Sequence, residues 1–251
     1  MGRQGPKLKR VALIPDVHAP FEDKRAVALV IKALQAWGVD ILVDLGDAAD
    51  CYTVSSHSKD PARSNKLKDE VEGVNSFLDK LDSTGAKAKY FIKGNHEDRL
   101  ERYIAEKAPE LFGLVGCEEL FRLKQRGWSV TQYKDSMKLG KLHLTHDCGN
   151  AGGQAHSKAL DTFQDNVVIG HTHRMAISYV GNAKGKTHVG AMFGWLGDVK
   201  YIDYMHKVSA LRAWQLGFGV GYMEVTTGVV HLQAVPIVDY KLVLEGQLYV
   251  G

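Results

Sequence analysis

The sequence predicts an α/β fold in four layers: two mixed β-sheets packed face to face with helices outside both (αββα). Three observations lead there. The chain opens β-α-β, helical periodicity recurs between the strands of its first half, and its second half is strand-rich and punctuated by glycine. At 251 residues it is long enough to bury one sizeable core, and no internal repeat or low-complexity linker divides it. Residues 1–10 read as a basic N-terminal tail (Arg3, Lys7, Lys9, Arg10) and residues 11–251 as a single domain.

Val11-Ala12-Leu13-Ile14 is a short apolar run, the mark of a strand buried on both faces. Val27, Val30, Ile31 and Leu34 then recur at helical spacing over Arg25–Trp37, and Gly38 stops that helix. Ile41-Leu42-Val43 with Leu45 is the second strand, so the opening implies parallel pairing with a right-handed crossover. Ser55–Asn65 is polar and reads as a surface loop. Leu67, Val71, Val74 and Leu78 mark a second helix, Tyr90-Phe91-Ile92 a third strand, and Glu97–Lys107 a helix ended by Pro109. Residues 111–127 suggest short helical turns. Beyond Ser129, Lys134–Leu139 and Leu142–Thr145 form a hairpin around Gly140-Lys141. A helix over Ala155–Phe163 precedes a strand at Asn166–Ile169, and Thr187–Phe193, Gly217–Val225 and Val229–Val238 are strand-rich.

Composition narrows the function classes. Hydrophobic residues are 45% and charged residues 24%, which suits a globular chain rather than a disordered one. A net charge of +3 makes no electrostatic case for obligate nucleic-acid or membrane binding. Cys51, Cys117 and Cys148 cannot all pair and show no CxxC spacing, as expected in a reducing compartment. No apolar run approaches the roughly 18 to 20 residues that span a bilayer, and no secretory signal pattern follows the basic start. A cytoplasmic protein without membrane contact is expected.

Five short clusters each begin where a predicted strand ends: Asp16-Val17-His18, Gly46-Asp47-Ala48-Ala49-Asp50, Gly94-Asn95-His96-Glu97, Thr145-His146 and Gly170-His171-Thr172-His173. In open α/β sheets, ligands sit in the crevice beyond the carboxyl ends of the strands, so five strand ends would share one crevice. Any one cluster reads as an ordinary turn. Together they gather carboxylates, an amide oxygen and imidazoles, ligand types suited to borderline divalent cations.

In order and content these blocks resemble the calcineurin-like metallophosphoesterase superfamily, whose signature runs D-x-H, GD-x-x-D, GNH-E/D, a lone His, and GH-x-H. They extend from Asp16 to His173, about two thirds of the chain. Within that superfamily the GNHEDRLERY stretch and Ala213-Trp214-Gln215-Leu216-Gly217-Phe218 look most like the metallophosphoesterases encoded by tailed phages, whose setting is the host cytoplasm. The resemblance implies hydrolysis of a phosphate ester with two divalent metal ions. One would be held by Asp16, His18, Asp47 and His173, the other by Asp47, Asn95, His146 and His171, with Asp47 between them. Such pairs sit about 3.5 to 4 Å apart and share a hydroxide as nucleophile. His96 would be the general acid toward the leaving group, with Asp50 hydrogen-bonded to it. For Asp50 alone, capping of the following turn is the competing reading.

Two departures from the family pattern stand out. Cys51 occupies the position where the superfamily's protein Ser/Thr phosphatases carry an arginine that grips phosphate, and Asp147 follows His146 where many relatives have glycine. Asp147 is therefore either a structural turn residue or an outer partner of a ligating imidazole. His143, in the preceding strand, reads as a packed or edge residue. Arg99, Arg174, His156 and Lys158 are the candidates for gripping the phosphate, although surface pairing explains Arg99 equally well. His57, His188, His206 and His231 earn no role. Trp195, Tyr201, Tyr204 and Trp214 read first as packing and second as platforms for a nucleobase.

The expected substrate is a phosphomonoester. A phosphodiesterase or nuclease acting on DNA or nucleotides uses the same metal core and stays open. A non-catalytic, protein-binding scaffold is a lesser alternative. Mixed oxygen and imidazole ligation accepts Mn²⁺, Fe, Ni²⁺, Zn²⁺ or Co²⁺, with Mn²⁺ the choice in vitro.

Overall fold

The structure, a computed structural model, describes residues 7–56, 63–201 and 207–251. Most of the expected Ser55–Asn65 loop lies outside them, as do Arg3, His57, Tyr204 and His206. The chain runs β1 (Leu8–Ile14), α1 (Lys24–Trp37), β2 (Ile41–Asp44), α2 (Leu67–Asp82), β3 (Ala88–Ile92), α3 (Asn95–Lys107), a short α4 (Cys117–Leu120) and β4 (Trp128–Thr131). It continues through β5 (Met137–Leu139), β6 (Leu142–Thr145), α5 (Ala155–Phe163), β7 (Val167–Ile169), β8 (Met175–Gly181) and β9 (Thr187–Phe193). It then forms α6 (Lys207–Ala213), β10 (Gly217–Glu224), β11 (Val230–Pro236), β12 (Lys241–Leu244) and β13 (Gln247–Val250).

One sheet has the order β11-β10-β1-β2-β3-β4 and the other β5-β6-β7-β9-β8. Both are mixed. β1 to β4 run parallel while β10 and β11 are antiparallel, and in the second sheet only β5 and β8 run against their neighbours. The alternation of side chains along a strand sorts each residue into a layer. Val11 and Leu13 of β1 join Ile41 and Val43 of β2 against Leu142, Leu144, Val168 and Ala191 of the second sheet. Ala12 and Ile14 point the other way, into a core shared with α1, α2 and α3. On the far side, α5 places Ala155, Ala159 and Leu160 over Val167, Ile169 and Met192. That is the expected four-layer αββα arrangement.

Local signals explain the element ends. Asp23 caps α1 by accepting from the N–H groups of Arg25 and Ala26 at 3.1 and 3.0 Å. Gly38 closes it in the left-handed region at φ 75°, donating to the Leu34 carbonyl at 2.9 Å. The stretch expected to hold short helical turns, residues 111–127, contains α4, and the 3-10 turn Pro109–Leu111 ends at its start.

Four expectations change, the first being that Trp128–Thr131, read as no element, forms the edge strand β4 beside β3. Strand β1 starts at Leu8, so Leu8, Lys9 and Arg10 leave the presumed tail and pair with Glu224, Met223 and Tyr222. Backbone pairing outweighs the basic composition there, and the Arg10 guanidinium donates to the Trp37 carbonyl. Strand β8 went unread because it is a sheet edge whose side chains are all partly or fully exposed, which erases period-two contrast. The β12–β13 hairpin was also unread. Its alternating Leu242 and Leu244 pack into the core with α1, a partner far away in sequence.

Candidate metal centre

Each of the five clusters does follow a strand, and the strands involved are the parallel inner ones. β1 leads to Asp16 and His18, β2 to Asp47 and Asp50, β3 to Asn95 and His96, β6 to His146, and β7 to His171 and His173. Adjacent parallel strands deliver their carboxyl ends to the same edge, so the clusters meet. Close approach of the loops depends on glycine at two points. A Cβ on Gly94 would strike the Asp47 carboxylate and backbone, and one on Gly46, at φ 99°, would lie 2.5 Å from His146 Nδ1. His18, Asp47, His171 and His173 all have φ between 53° and 67°. Such left-handed backbone is costly for non-glycine residues and gathers at functional sites.

All seven residues expected to bind metal come together. His18 Nε2 lies 3.0 Å from His173 Nε2, and His173 Nε2 lies 3.7 Å from Asp16 Oδ1. Asn95 Oδ1 lies 3.0 Å from His146 Nε2 and 2.9 Å from His171 Nδ1, while Asp47 Oδ2 lies 3.2 Å from His146 Nε2. Among the described residues, possible ligand atoms lie within 4.8 Å of one another in three groups: Asp16/His18/His173, His18/Asp47/His96 and Asp47/His146/His171. Asp47 belongs to two of them. Asp16, Asp47, His18, His146 and His173 are buried.

The donor set fits a cation. His146 Nδ1 faces the Leu45 carbonyl at 2.9 Å, which requires a proton on Nδ1. A neutral His146 then aims its Nε2 lone pair at two acceptors, Asp47 Oδ2 and Asn95 Oδ1, and three lone pairs converging on one point need a positive charge among them. In the bare chain a proton serves. Burial alone would lower the His146 pKa, but Asp47 drives it up to about 10. Burial pushes Asp16 up to about 7. Burial also opposes ionisation of Asp47, yet His146, His96 and His18 hold that carboxyl well below its usual range. Burial and the neighbouring His18 keep His173 well below the ordinary histidine value, in the neutral form that ligates metals.

His96 sits at the edge of this group. Its backbone N–H donates to Asp47 Oδ1 at 3.0 Å. Its Nδ1 donates to the Asp50 carbonyl at 2.6 Å, with the Asp50 carboxylate 3.3 Å away. Burial would lower its pKa, but Asp47 and Asp50 outweigh it and raise the value. Asp50 has a second contact that the sequence did not suggest, Oδ1 to His18 Nδ1 at 3.1 Å. Asp50 therefore orients two imidazoles, His18 through its carboxylate and His96 through its backbone carbonyl.

The residue to which sequence reasoning assigned no role of its own is Glu97, named only as the last position of the third cluster. It is fully buried, and its carboxylate accepts from three backbone N–H groups: Gly94 at 2.7 Å, Ala49 at 2.8 Å and Asp47 at 3.0 Å. It ties the loop after β2 to the loop after β3. The available signal was its place three residues beyond Gly94, the N3 position of a capping box. Glu70 does similar work one layer out, accepting from Tyr52 and Thr53 at 2.8 Å each, and carries no such signal.

The four phosphate-gripping candidates are placed differently. Arg99 donates to the Asp50 carbonyl at 3.1 Å, beside His96. Arg174 is partly buried next to the His173 loop. His156 is buried, with Nε2 2.8 Å from the Ser178 hydroxyl, so its ring is engaged between α5 and β8. Lys158 is exposed on the same helix. Asp147 accepts from the Gly149 N–H at 2.8 Å, the bond of a tight turn. His143 packs on Phe163 at 5.0 Å and faces Asp165. Trp195 and Trp214 pack against His173, and Tyr201 against Phe21 at 5.0 Å.

The sequence model described as calcineurin-like phosphoesterase matches residues 9–175. The chain is 26% identical over 260 residues to the Gene 54 protein of Mycobacterium phage D29, covering 96% of this chain and 98% of that one. It is 26% identical over 257 residues to the Gene 54 protein of Mycobacterium phage L5, with the same coverage. Among solved structures, Vacuolar Protein Sorting 29 from Cryptosporidium parvum is similar at TM-score 0.49 and 14% identity, over 96% of this chain and 94% of that one. YfcE, a phosphoesterase from E. coli, is similar at TM-score 0.39 and 16% identity, over 90% and 98%.

Proposed function

Because the chain belongs to the calcineurin-like phosphoesterase family of metal-dependent phosphoester hydrolases, we propose that it hydrolyses a phosphomonoester with two divalent cations. Asp16, His18, Asp47 and His173 hold one ion in this reading, and Asp47, Asn95, His146 and His171 hold the other. The ions supply Lewis acidity toward the phosphoryl oxygens and lower the pKa of water. Mn²⁺ is the first choice for assay, with Fe, Ni²⁺, Zn²⁺ and Co²⁺ compatible with the same donors. The observation that carries the reading is Asp47, whose carboxylate groups with His18 on one side and with His146 and His171 on the other, and which among the described residues pairs with no basic side chain except imidazoles.

The protein's own residues do the rest. Asp47 and Asn95 fix the loops facing the phosphate. His96, held by the Asp50 carbonyl and favoured in its protonated form by Asp47 and Asp50, gives a proton to the leaving-group oxygen. Arg99, anchored on the same carbonyl, is the best placed of the four cationic candidates to meet the anion. No described helix is long and apolar enough to cross a membrane, and we place the reaction in the cytoplasm.

The test uses purified protein with Mn²⁺ and three substrates: a nitrophenyl monophosphate, its bis-ester and labelled DNA. Fastest turnover of the monoester is expected. Preference for the bis-ester or DNA would replace this reading with a diesterase or nuclease. His96→Ala should slow turnover by roughly 10² or more with metal retained, and Asp47→Ala should empty the site. An Asp47 variant with both metals and full activity would overturn the assignment.

A further inference from the structure

The imidazoles at the centre are not oriented in the same way. A histidine that ligates a metal normally donates its other ring N–H to an oxygen, which fixes the ring plane and raises ligand basicity. His146 follows that rule through Nδ1 and the Leu45 carbonyl at 2.9 Å, and His18 through Nδ1 and Asp50 Oδ1 at 3.1 Å. His173 does not. Its Nε2 faces His18 and Asp16, while its Nδ1 is buried with no hydrogen-bond partner among the described residues.

Aromatic rings surround it instead. Trp195 lies parallel to the His173 ring at 4.9 Å and 16°, and Trp214 meets it edge-on at 4.2 Å and 84°. The two indoles contact each other at 4.9 Å and 68°. Their backbone is tied to the same place. Gln215 N–H donates to the His173 carbonyl at 3.0 Å, and Trp195 N–H donates to the Gln215 carbonyl at 3.1 Å. The segment after β9 and the one after α6 thus close around one side chain, whose backbone sits at φ 56°.

We propose that Trp195 and Trp214 are positioning residues that set the plane of His173 by ring packing, in place of the missing hydrogen bond to Nδ1. This rests on the reading of His173 as a metal ligand. Packing fixes a ring's orientation but does not raise its basicity, so the Asp16/His18/His173 position binds its ion more weakly than the Asn95/His146/His171 position. Tryptophan emission would also report on that position, since a paramagnetic ion held by His173 would be bound to the ring on which Trp195 stacks.

The experiment is a titration of full-length, metal-free protein with Co²⁺, followed by visible absorption, by tryptophan fluorescence and by metal content after dialysis. Wild-type protein should bind two ions in two phases, with emission quenched in the weaker one. Trp195→Leu and Trp214→Leu should weaken that phase alone by roughly 10- to 100-fold, the range for lost outer partners of ligands. Trp195→Phe, which keeps a stacking face, should restore most of it. Thermal melts show whether the leucine variants fold. If they do not, Trp195→Phe and Trp214→Phe carry the test, and a weak phase unchanged in both overturns the proposal. Folded leucine variants that bind both ions like wild type overturn it as well. Wild-type protein that binds no Co²⁺ at all removes the ligand reading itself, a different failure.

Discussion

Glu97 offers the sharpest test of how the centre is built. Replacing it with alanine would strip the acceptor from the buried N–H groups of Asp47, Ala49 and Gly94. A buried donor left without a partner costs about 1–3 kcal/mol, so three give roughly 3–9 kcal/mol before relaxation. Water entering the vacated space reduces that to about 3–5 kcal/mol, still at the upper end for a single substitution. Glu97→Gln is more diagnostic because it preserves shape. Its one oxygen can serve Asp47 and Gly94, which share Oε2, but its amino group then confronts the Ala49 N–H. About 2–3 kcal/mol should be lost. Urea unfolding of metal-free protein measures it, with the midpoint falling and the slope unchanged. A glutamine variant within about 0.5 kcal/mol of the parent would show that Glu97 is not the tie between these loops.

Three further outcomes follow from the same geometry. Gly94→Ala should disrupt the centre, because its Cβ would enter the Asp47 carboxylate; metal content by elemental analysis should fall well below that of wild type, and an unchanged content would contradict the close approach. Removing metal with a chelator should lower thermal stability, since an ion that binds only the folded chain adds about 2.7 kcal/mol at 100 times its dissociation constant; melts with and without chelator read this directly. Asp165, far from the centre, supplies a pH test. Burial would raise its pKa, but the Asn166 N–H, Lys138, His143 and His188 win and lower it. Its contribution to stability is therefore present above the unfolded value near 3.8 and lost as pH falls through the folded value. Asp165→Asn should cost under about 1 kcal/mol at neutral pH and nothing in strong acid, given the exposure of the pair. A cost independent of pH would refute that account.

Much of the fold was readable because its signals are local. Four consecutive apolar residues at β1, a four-residue apolar stripe with Gly38 at the end of α1, and glycines before Asp47, Asn95 and His171 all act within a few residues. Strand β8 failed that test since exposure on an edge removes the contrast that marks a strand. The hairpin β12–β13 failed because its apolar positions answer to α1, more than 200 residues earlier.

The centre divides along the same line. Its chemical inventory belonged to the sequence: which side chains could bind a cation, and that each follows a strand, are properties of residue type and short-range pattern. Their separations did not. His18 and His173, 155 positions apart, come within 3.0 Å only because two sheets stack with their parallel strands ending at one edge. The same stacking decided that Glu97 turns inward to hold two loops, that Asp50 serves two rings, and that His173 is gripped by tryptophans rather than by an oxygen. Periodicity reports which face of an element is apolar; only packing, which sums contacts across the whole chain, determines what that face meets.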